Sequence, residues 1–399
     1  MSYDLLETTL AVLVPILSEI KNLQEQIISF KKKLKQATQK DKIININEKI
    51  EERWKNIFEL SPYFASQWRL LSLLYIKAAQ DEDKTISGII RDKYISLQRE
   101  QYSKEGKIKN NLESNQVLQV YQAITESKNE EISYLPLFSF FIKFKFTLAK
   151  PYISKDDEEF YIIDNPVKKD KVFKVPMVSG SSWKGNLRWT SGKLLELKQD
   201  PKKQQRIRLQ INKLFGHENE AEKKYFDSLL LEKERKAFEA ELQKFTNRDG
   251  LRRATLHFYP TFFDQIDLEV INPHDRKTKT GKNPIYIECV PKGATGTFSL
   301  LYVPFDLIGH PVKEQKREIK KDILLIYCAL KEMMLTYGFS AKKTSGFGII
   351  EPEFPEEGQF EMTGIPKDIL PRKGKFINFE ELKTIIDKLC TYLEAGDGR

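Results

Sequence analysis

The 399-residue sequence predicts an α+β fold: a ferredoxin-like, RRM-like domain of β-α-β-β-α-β order with insertions, preceded by an all-α helical bundle. Three observations carry that prediction. Residues 1–130 place their apolar side chains at helical spacing. After Glu130-Glu131 the pattern changes, and phenylalanines recur at 138, 140, 141, 144 and 146 in a half-alternating, strand-like run. From there the order is strand, helix, strand, strand, helix, strand.

In chain order, residues 4–36 read as one long helix, with Leu5, Leu6, Leu10, Leu13, Leu17, Ile20 and Ile27 on one stripe. Further helices are expected at about 44–60, 63–80, 86–103 and 110–127, the second of these opening on Ser61-Pro62 with proline at the first helical position. Trp54, Phe58, Phe64, Trp68, Leu71 and Tyr75 supply a core, so residues 1–131 form a bundle whose mixed charges suit partner docking or spacing. A second domain is expected over 132–375. Its first strand lies in Leu135–Ala149, and its first helix runs from Trp183 to Leu197. A charged helical insertion over about 199–247 is expected on the surface. Strands follow at Ala254–Phe263, Ile285–Val290 and Gly296–Val303, an amphipathic helix at Lys313–Tyr337 and a closing strand at Gly348–Phe354. A last helix, Phe376 to Leu393, falls in a C-terminal segment 376–399.

The net charge of +9 is not spread evenly. Between Lys171 and Phe215 eleven Lys or Arg face two acids, so the excess of this segment equals that of the whole chain. Such a cluster suits an anionic partner. Three distant cysteines, Cys289, Cys328 and Cys390, argue for reduced thiols and against a zinc site. The apolar run Leu10–Leu17 is too short to span a bilayer, and Asp4 and Glu7 stand where a signal peptide needs positive charge. A cytoplasmic protein without membrane contact is expected.

The basic cluster opens on Val175-Pro-Met-Val-Ser-Gly-Ser-Ser-Trp-Lys-Gly-Asn-Leu-Arg188. A strand-like start leads into a helix that Ser181 or Ser182 can cap, with Gly180 and Gly185 permitting close backbone approach. Lys184 and Arg188 sit one turn apart, and a polar helix N-terminus with two cations makes a phosphate cradle. Tyr337-Gly-Phe-Ser-Ala-Lys-Lys-Thr-Ser-Gly-Phe-Gly348 repeats that chemistry, with Lys342, Lys343, Thr344 and Ser345 between Gly338 and Gly346. Neither stretch has the adjacent Gly-Lys spacing of a nucleotide-binding P-loop, and no nucleotide cofactor is implied. Because first and last strands of such a fold are neighbours, the two stretches are expected to meet in one site.

These stretches resemble the Gly-Ser-Ser-x-Lys-Gly-x-x-Arg motif and the C-terminal glycine-rich loop of the RAMP superfamily of CRISPR-associated proteins. Asp267-Leu-Glu-Val-Ile-Asn-Pro-His274, Pro284 and Gly296-Thr-Phe-Ser-Leu300 occur in an order similar to that of the sixth subunit of the type III-B (Cmr) effector complex. The likeness covers about residues 137–355, and residues 1–130 take no part in it. It implies a non-catalytic subunit of an RNA-guided antiviral ribonucleoprotein. Guide RNA, with target RNA as a further candidate, and the other subunits would be its partners. Ser181, Ser182, Lys184, Gly185 and Arg188 would hold phosphates, and Gly338–Gly348, with Lys342, Lys343, Thr344, Ser345, Gly346 and Gly348, would cover the RNA.

A catalytic alternative is an endoribonuclease acting on guide precursor or target RNA. His274, on a basic loop with Arg276, is the best functional histidine, with RNA contact favoured over general-base chemistry. Asp156 and Asp157, in a loop after the first strand, could hold a divalent ion, although four consecutive acids more often form a solvated surface. His257 alternates with apolar neighbours as a packed residue does, and His217 and His310 follow glycines in turns.

Overall fold

The computed structural model describes residues 132–156, 165–171, 175–243, 246, 252–263, 265–271, 285–371 and 373–395, with eight helical positions of the N-terminal third (22, 25, 26, 29, 33, 52, 91 and 93). The expected helical bundle over 1–131 and the loop carrying Asp157 lie outside the described residues, as do His274 and Arg276. The chain divides into two compact units, Met1–Lys104 with Asp157–Asp164, and Glu105–Asp156 with Asn165–Arg399. All the elements below belong to the second.

β1 (Phe140–Thr147) is the central strand. Its even-numbered residues Phe140, Ile142, Phe144 and Phe146 are at most 1% exposed, because a strand sends alternate side chains to one face. β1 pairs antiparallel on one side with β7 (Thr295–Tyr302) and on the other with β8 (Glu353–Met362). β3 (Leu256–Phe258) adds beyond β7, and β9 (Gly374–Asn378) beyond β8, completing the order β3-β7-β1-β8-β9. Setting β9 aside, the chain visits the sheet as the β-α-β-β-α-β arrangement requires, and the first and last strands of that unit are hydrogen-bonded neighbours.

Two helices fill the crossovers: α1 (Gly180–Glu196) and α5 (Val312–Glu332), the latter continuing into a π turn at Met333–Tyr337. Between them in sequence, α2 (Pro201–Phe215), α3 (Glu220–Ser228) and α4 (Glu232–Leu242) form the insertion. It is less superficial than its charge predicts. Ile211, Leu214, Phe215 and Phe226 join the main core, and Gln210 donates to Asp322 of α5 at 2.9 Å. The fully buried Arg208 makes a salt bridge with Glu218 beneath the rings of Phe226 and Phe238.

Four boundaries differ from the sequence expectation. The strand expected at Ala254–Phe263 breaks at Tyr259-Pro260, since proline has no N–H for a ladder; β4 (Thr261–Phe262) leaves the main sheet to pair with β2 (Met177–Val178). β6 (Ile285–Cys289) is not in the main sheet either but forms a separate ribbon with β5 (Asp267–Ile271). The closing strand starts at Glu353, after an isolated bridge from Leu148 to Ile350. Phe376 belongs to β9, and α6 (Phe379–Glu394) starts only after Asn378, whose side chain accepts from the Glu381 amide as its cap.

Candidate nucleic-acid interface

α1 begins one residue before the first expected cap. Ser179, in extended backbone, is the N-cap, and its hydroxyl accepts from the Ser182 amide at 3.2 Å. Ser181 and Ser182 are already helical and cannot serve; each hydroxyl instead meets that of Ser179 at 2.9 Å. The first turn contains no acidic residue. Gly180 lies directly on β3, where a Cβ would come within 2.5 Å of the Phe258 carbonyl oxygen. Gly185 is the opposite case: it is exposed, and a Cβ there would meet nothing within 4 Å.

Lys184 is half-buried and makes no hydrogen bond or ion pair among the described residues. Burial, and then the nearby Arg188 guanidinium, push its ammonium below the ordinary lysine range, partly offset by Glu222. The second cation of the motif is committed elsewhere. Arg188 is 6% exposed, and its guanidinium donates to the carbonyls of Phe215, Gly216 and His217 at 2.8, 2.9 and 3.1 Å and to Glu222 at 2.6 Å. It closes the C-terminal end of α2, a structural commitment that the spacing of the motif does not reveal.

The glycine loop follows the π turn. Gly338 has φ +74, and a Cβ on it would lie 2.4 Å from the Phe347 carbonyl oxygen. The Phe339 amide donates to Gly348 O at 3.1 Å and the Gly348 amide to Pro151 O at 2.9 Å, so both ends of the loop are pinned together and to the segment following β1. Ser340 Oγ donates to Ile153 O and accepts from Ile153 N, at 2.8 and 2.6 Å. Between these pins, Lys342 adopts the left-handed region at φ 56 and Lys343–Ser345 make one 3-10 turn ending at Gly346, φ 77. Lys342, Thr344 and Ser345 are exposed. Lys150 reaches the Ser345 carbonyl at 3.5 Å.

The two stretches meet, as expected. Asn186 Nδ2 of α1 donates to the Phe339 carbonyl at 3.2 Å and to Ser182 O at 2.8 Å. Lys343 Nζ lies 4.1 Å from the centroid of Trp189, whose ring takes Tyr337 edge-on at 5.3 Å. Buried Trp183 packs on Phe339 with centroids 4.5 Å apart. Lys343 has no other partner among the described residues, and burial alone pushes its ammonium down to about 8. Asn186, Trp189 and Lys150 were missed in the sequence. The stripe Ser182, Asn186, Trp189, Lys193 at steps of four, three and four would have revealed the first two.

The remaining candidates are engaged by other residues of the protein. Asp156 is 7% exposed, accepts from the Lys169 amide at 3.0 Å and has Lys168 Nζ at 3.9 Å, so it fastens its own loop. No group of three His, Cys, Asp or Glu among the described residues could hold a metal. His257, on β3, lies edge-on to Phe305 and is held below the ordinary histidine range by burial, then by Arg253 and Lys184. His310 Nδ1 faces Glu314 at 3.3 Å. No described helix is long and apolar enough to cross a membrane.

The sequence matches the family described as the RAMP superfamily over residues 124–351. No curated protein matches. Among solved structures, one chain of the type III-B Cmr-beta cryo-EM structure bound to cognate target RNA matches at 15% identity and a TM-score of 0.39, covering 74% of this chain and 94% of that one. The crystal structure of Cmr6 from Pyrococcus furiosus matches at 15% identity and a TM-score of 0.28, covering 54% of this chain and 99% of that one.

Proposed function

From the premise that the chain belongs to the RAMP superfamily, we propose that it is a type III-B (Cmr-like) effector subunit that grips the backbone of guide RNA. The gripping surface is the start of α1 together with the glycine loop. The observation that carries this reading is the junction itself. Residues some 150 positions apart in the chain bring Lys184, Lys342 and Lys343 to neighbouring elements, and none of the three has an ion pair among the described residues. Lysines satisfied by protein carboxylates would be structural; these remain available for phosphates. Ser181 and Thr344 add hydroxyl donors, while His274 and Arg276, on the segment between β5 and β6, belong to the proposal by sequence alone.

Gly185 supports the same reading. In an exposed helix interior alanine is favoured over glycine by about 1 kcal/mol, and nothing in the protein occupies the space a methyl group would take. That space suits a ligand backbone. Gly185→Ala should therefore raise the unfolding free energy by roughly 0.5–1 kcal/mol yet weaken RNA binding. Urea unfolding and filter binding on the same preparations check this, and an alanine variant that binds as tightly as the parent would remove Gly185 from the interface.

The charge component has its own signature. Binding of single-stranded RNA should fall steeply with salt, and Lys184→Ala should flatten the log Kd against log salt slope by about 0.7, the value for one phosphate that is no longer neutralised. The weakening should be similar for unrelated RNA sequences, since phosphates carry no sequence information. An unchanged slope in Lys184→Ala would remove Lys184 from the interface.

A further inference from the structure

The glycine loop carries two adjacent lysines in different settings. Lys342 is exposed, whereas Lys343 is folded back over α1 with its ammonium on the Trp189 ring. The elements packed around it offer no compensating carboxylate. α1 contributes Lys193, 5.6 Å from the same ring and tied to Glu196 at 2.6 Å, and Asn186, which is committed to Phe339. The π turn contributes Tyr337, the loop Lys342, and the segment after β1 contributes Lys150, which is directed at the Ser345 carbonyl. Lys184 is near Arg188 and Glu222 instead. Lys343 is therefore a desolvated cation whose described partner is an aromatic face, an interaction weaker than an ion pair with phosphate.

We propose that Lys343, held over Trp189, is a proton-linked anchor: RNA binding draws a proton onto its amine, so the grip of the glycine loop is set by pH. This rests on the RNA-binding reading above. The proton balance is simple. Below about 8 the ammonium is already present in the free chain; above it the largely neutral amine takes one proton from solvent and becomes the ammonium that faces a phosphate oxygen, and no bond to the RNA is made or broken. In the free chain burial pushes this group down to about 8, and a phosphate alongside should return it toward the ordinary lysine value.

The signs differ for folding and for binding. Between about 8 and the ordinary lysine value the unfolded chain holds more protons at this site than the folded one, so stability of the free chain should rise with pH across that window. Binding runs the other way, because the complex holds more protons than the free chain. Affinity is fully present below about 8 and should weaken about tenfold for each pH unit above it. From pH 7 to pH 9 the Kd should rise by about tenfold overall.

The test uses the full chain and a mixed-sequence single-stranded RNA, with Kd measured from pH 6.5 to 9.5 at constant ionic strength. Lys343→Arg, which stays charged throughout, should bind at pH 7 and lose the rise above pH 8. Lysine Cε chemical shifts should report one titration near 8 in the free chain that moves upward with RNA bound. A Kd flat from pH 7 to 9 with binding intact, or the same rise in Lys343→Arg, overturns the proposal. Absence of salt-dependent binding at pH 7 would overturn the RNA-binding reading beneath it as well.

Discussion

Arg188→Ala should unfold the domain far more readily than Lys184→Ala, although the sequence presents the two as a pair. The Arg188 guanidinium is one of the few buried cations among the described residues and satisfies three backbone carbonyls and the Glu222 carboxylate. Its removal strands the buried Phe215 and Gly216 carbonyls at the end of α2 and leaves the half-buried Glu222 carboxylate without its partner. Losing one partner of a buried charge network costs about 3–5 kcal/mol, which for a domain of this size lowers the melting temperature by about 10 °C. Arg188→Lys should rescue little of it. A single ammonium cannot span three carbonyls and a carboxylate arranged around a planar fork. Urea or thermal unfolding of the three variants measures this directly. If Arg188→Ala melts within two or three degrees of the parent while the RNA salt slope drops, Arg188 faces the ligand after all.

That difference between two cations of one motif marks how far the sequence could be read. Lys184 and Arg188 share a helical face by spacing, but which part of the face is covered depends on Phe215–Glu222, some thirty residues later. Local periodicity holds no such information. β1 was legible because phenylalanines at alternate positions specify a single buried face; that the last strand lies beside it followed from the order of elements, but the residues that pair, Gln359–Met362, lie beyond the expected strand Gly348–Phe354. β6 was not, because a five-residue strand looks the same whether it joins the main sheet or a separate ribbon with β5. Pro260 and Asn378 each carry a signal that the sequence reading passed over, for a strand expected to run through Pro260 breaks there and a helix expected from Phe376 starts only after Asn378. At the site, glycines and lysines stand out in the sequence, whereas Trp189 reads as one more helical aromatic until Lys343 is found on its ring. The glycines also divide by role: Gly348 has φ 72 and a Cβ on it would meet Ser340 at 2.5 Å, so its replacement by valine should damage the fold together with binding.

Trp183→Ala should show that the fold and the site share one support. Trp183 is fully buried, with its ring 5.0 Å from Phe298 of β7, 6.3 Å from Phe146 of β1 and 4.5 Å from Phe339 of the glycine loop. Its indole N–H donates to Thr261 Oγ1 at 3.0 Å, and that hydroxyl donates in turn to Thr297 O at 2.6 Å. One side chain thus fastens α1 to the sheet and seats the first turn of the loop. Truncation to alanine opens a cavity among aromatic rings and should cost roughly 3–5 kcal/mol. Trp183→Phe keeps a ring but gives up the indole donor, and it should cost roughly 1–2 kcal/mol. Thr261 then retains its bond to Thr297. The phenylalanine variant is the informative one for function. Well below its melting temperature it should bind RNA several-fold more weakly than the parent, because Phe339 and the loop behind it lose their seat. Its salt slope should be unchanged, because Lys184, Lys342 and Lys343 are all still present. Weaker binding at constant slope separates a displaced loop from a missing charge. If Trp183→Ala is as stable as the parent, the aromatic cluster does not bear on the loop in the way its geometry requires.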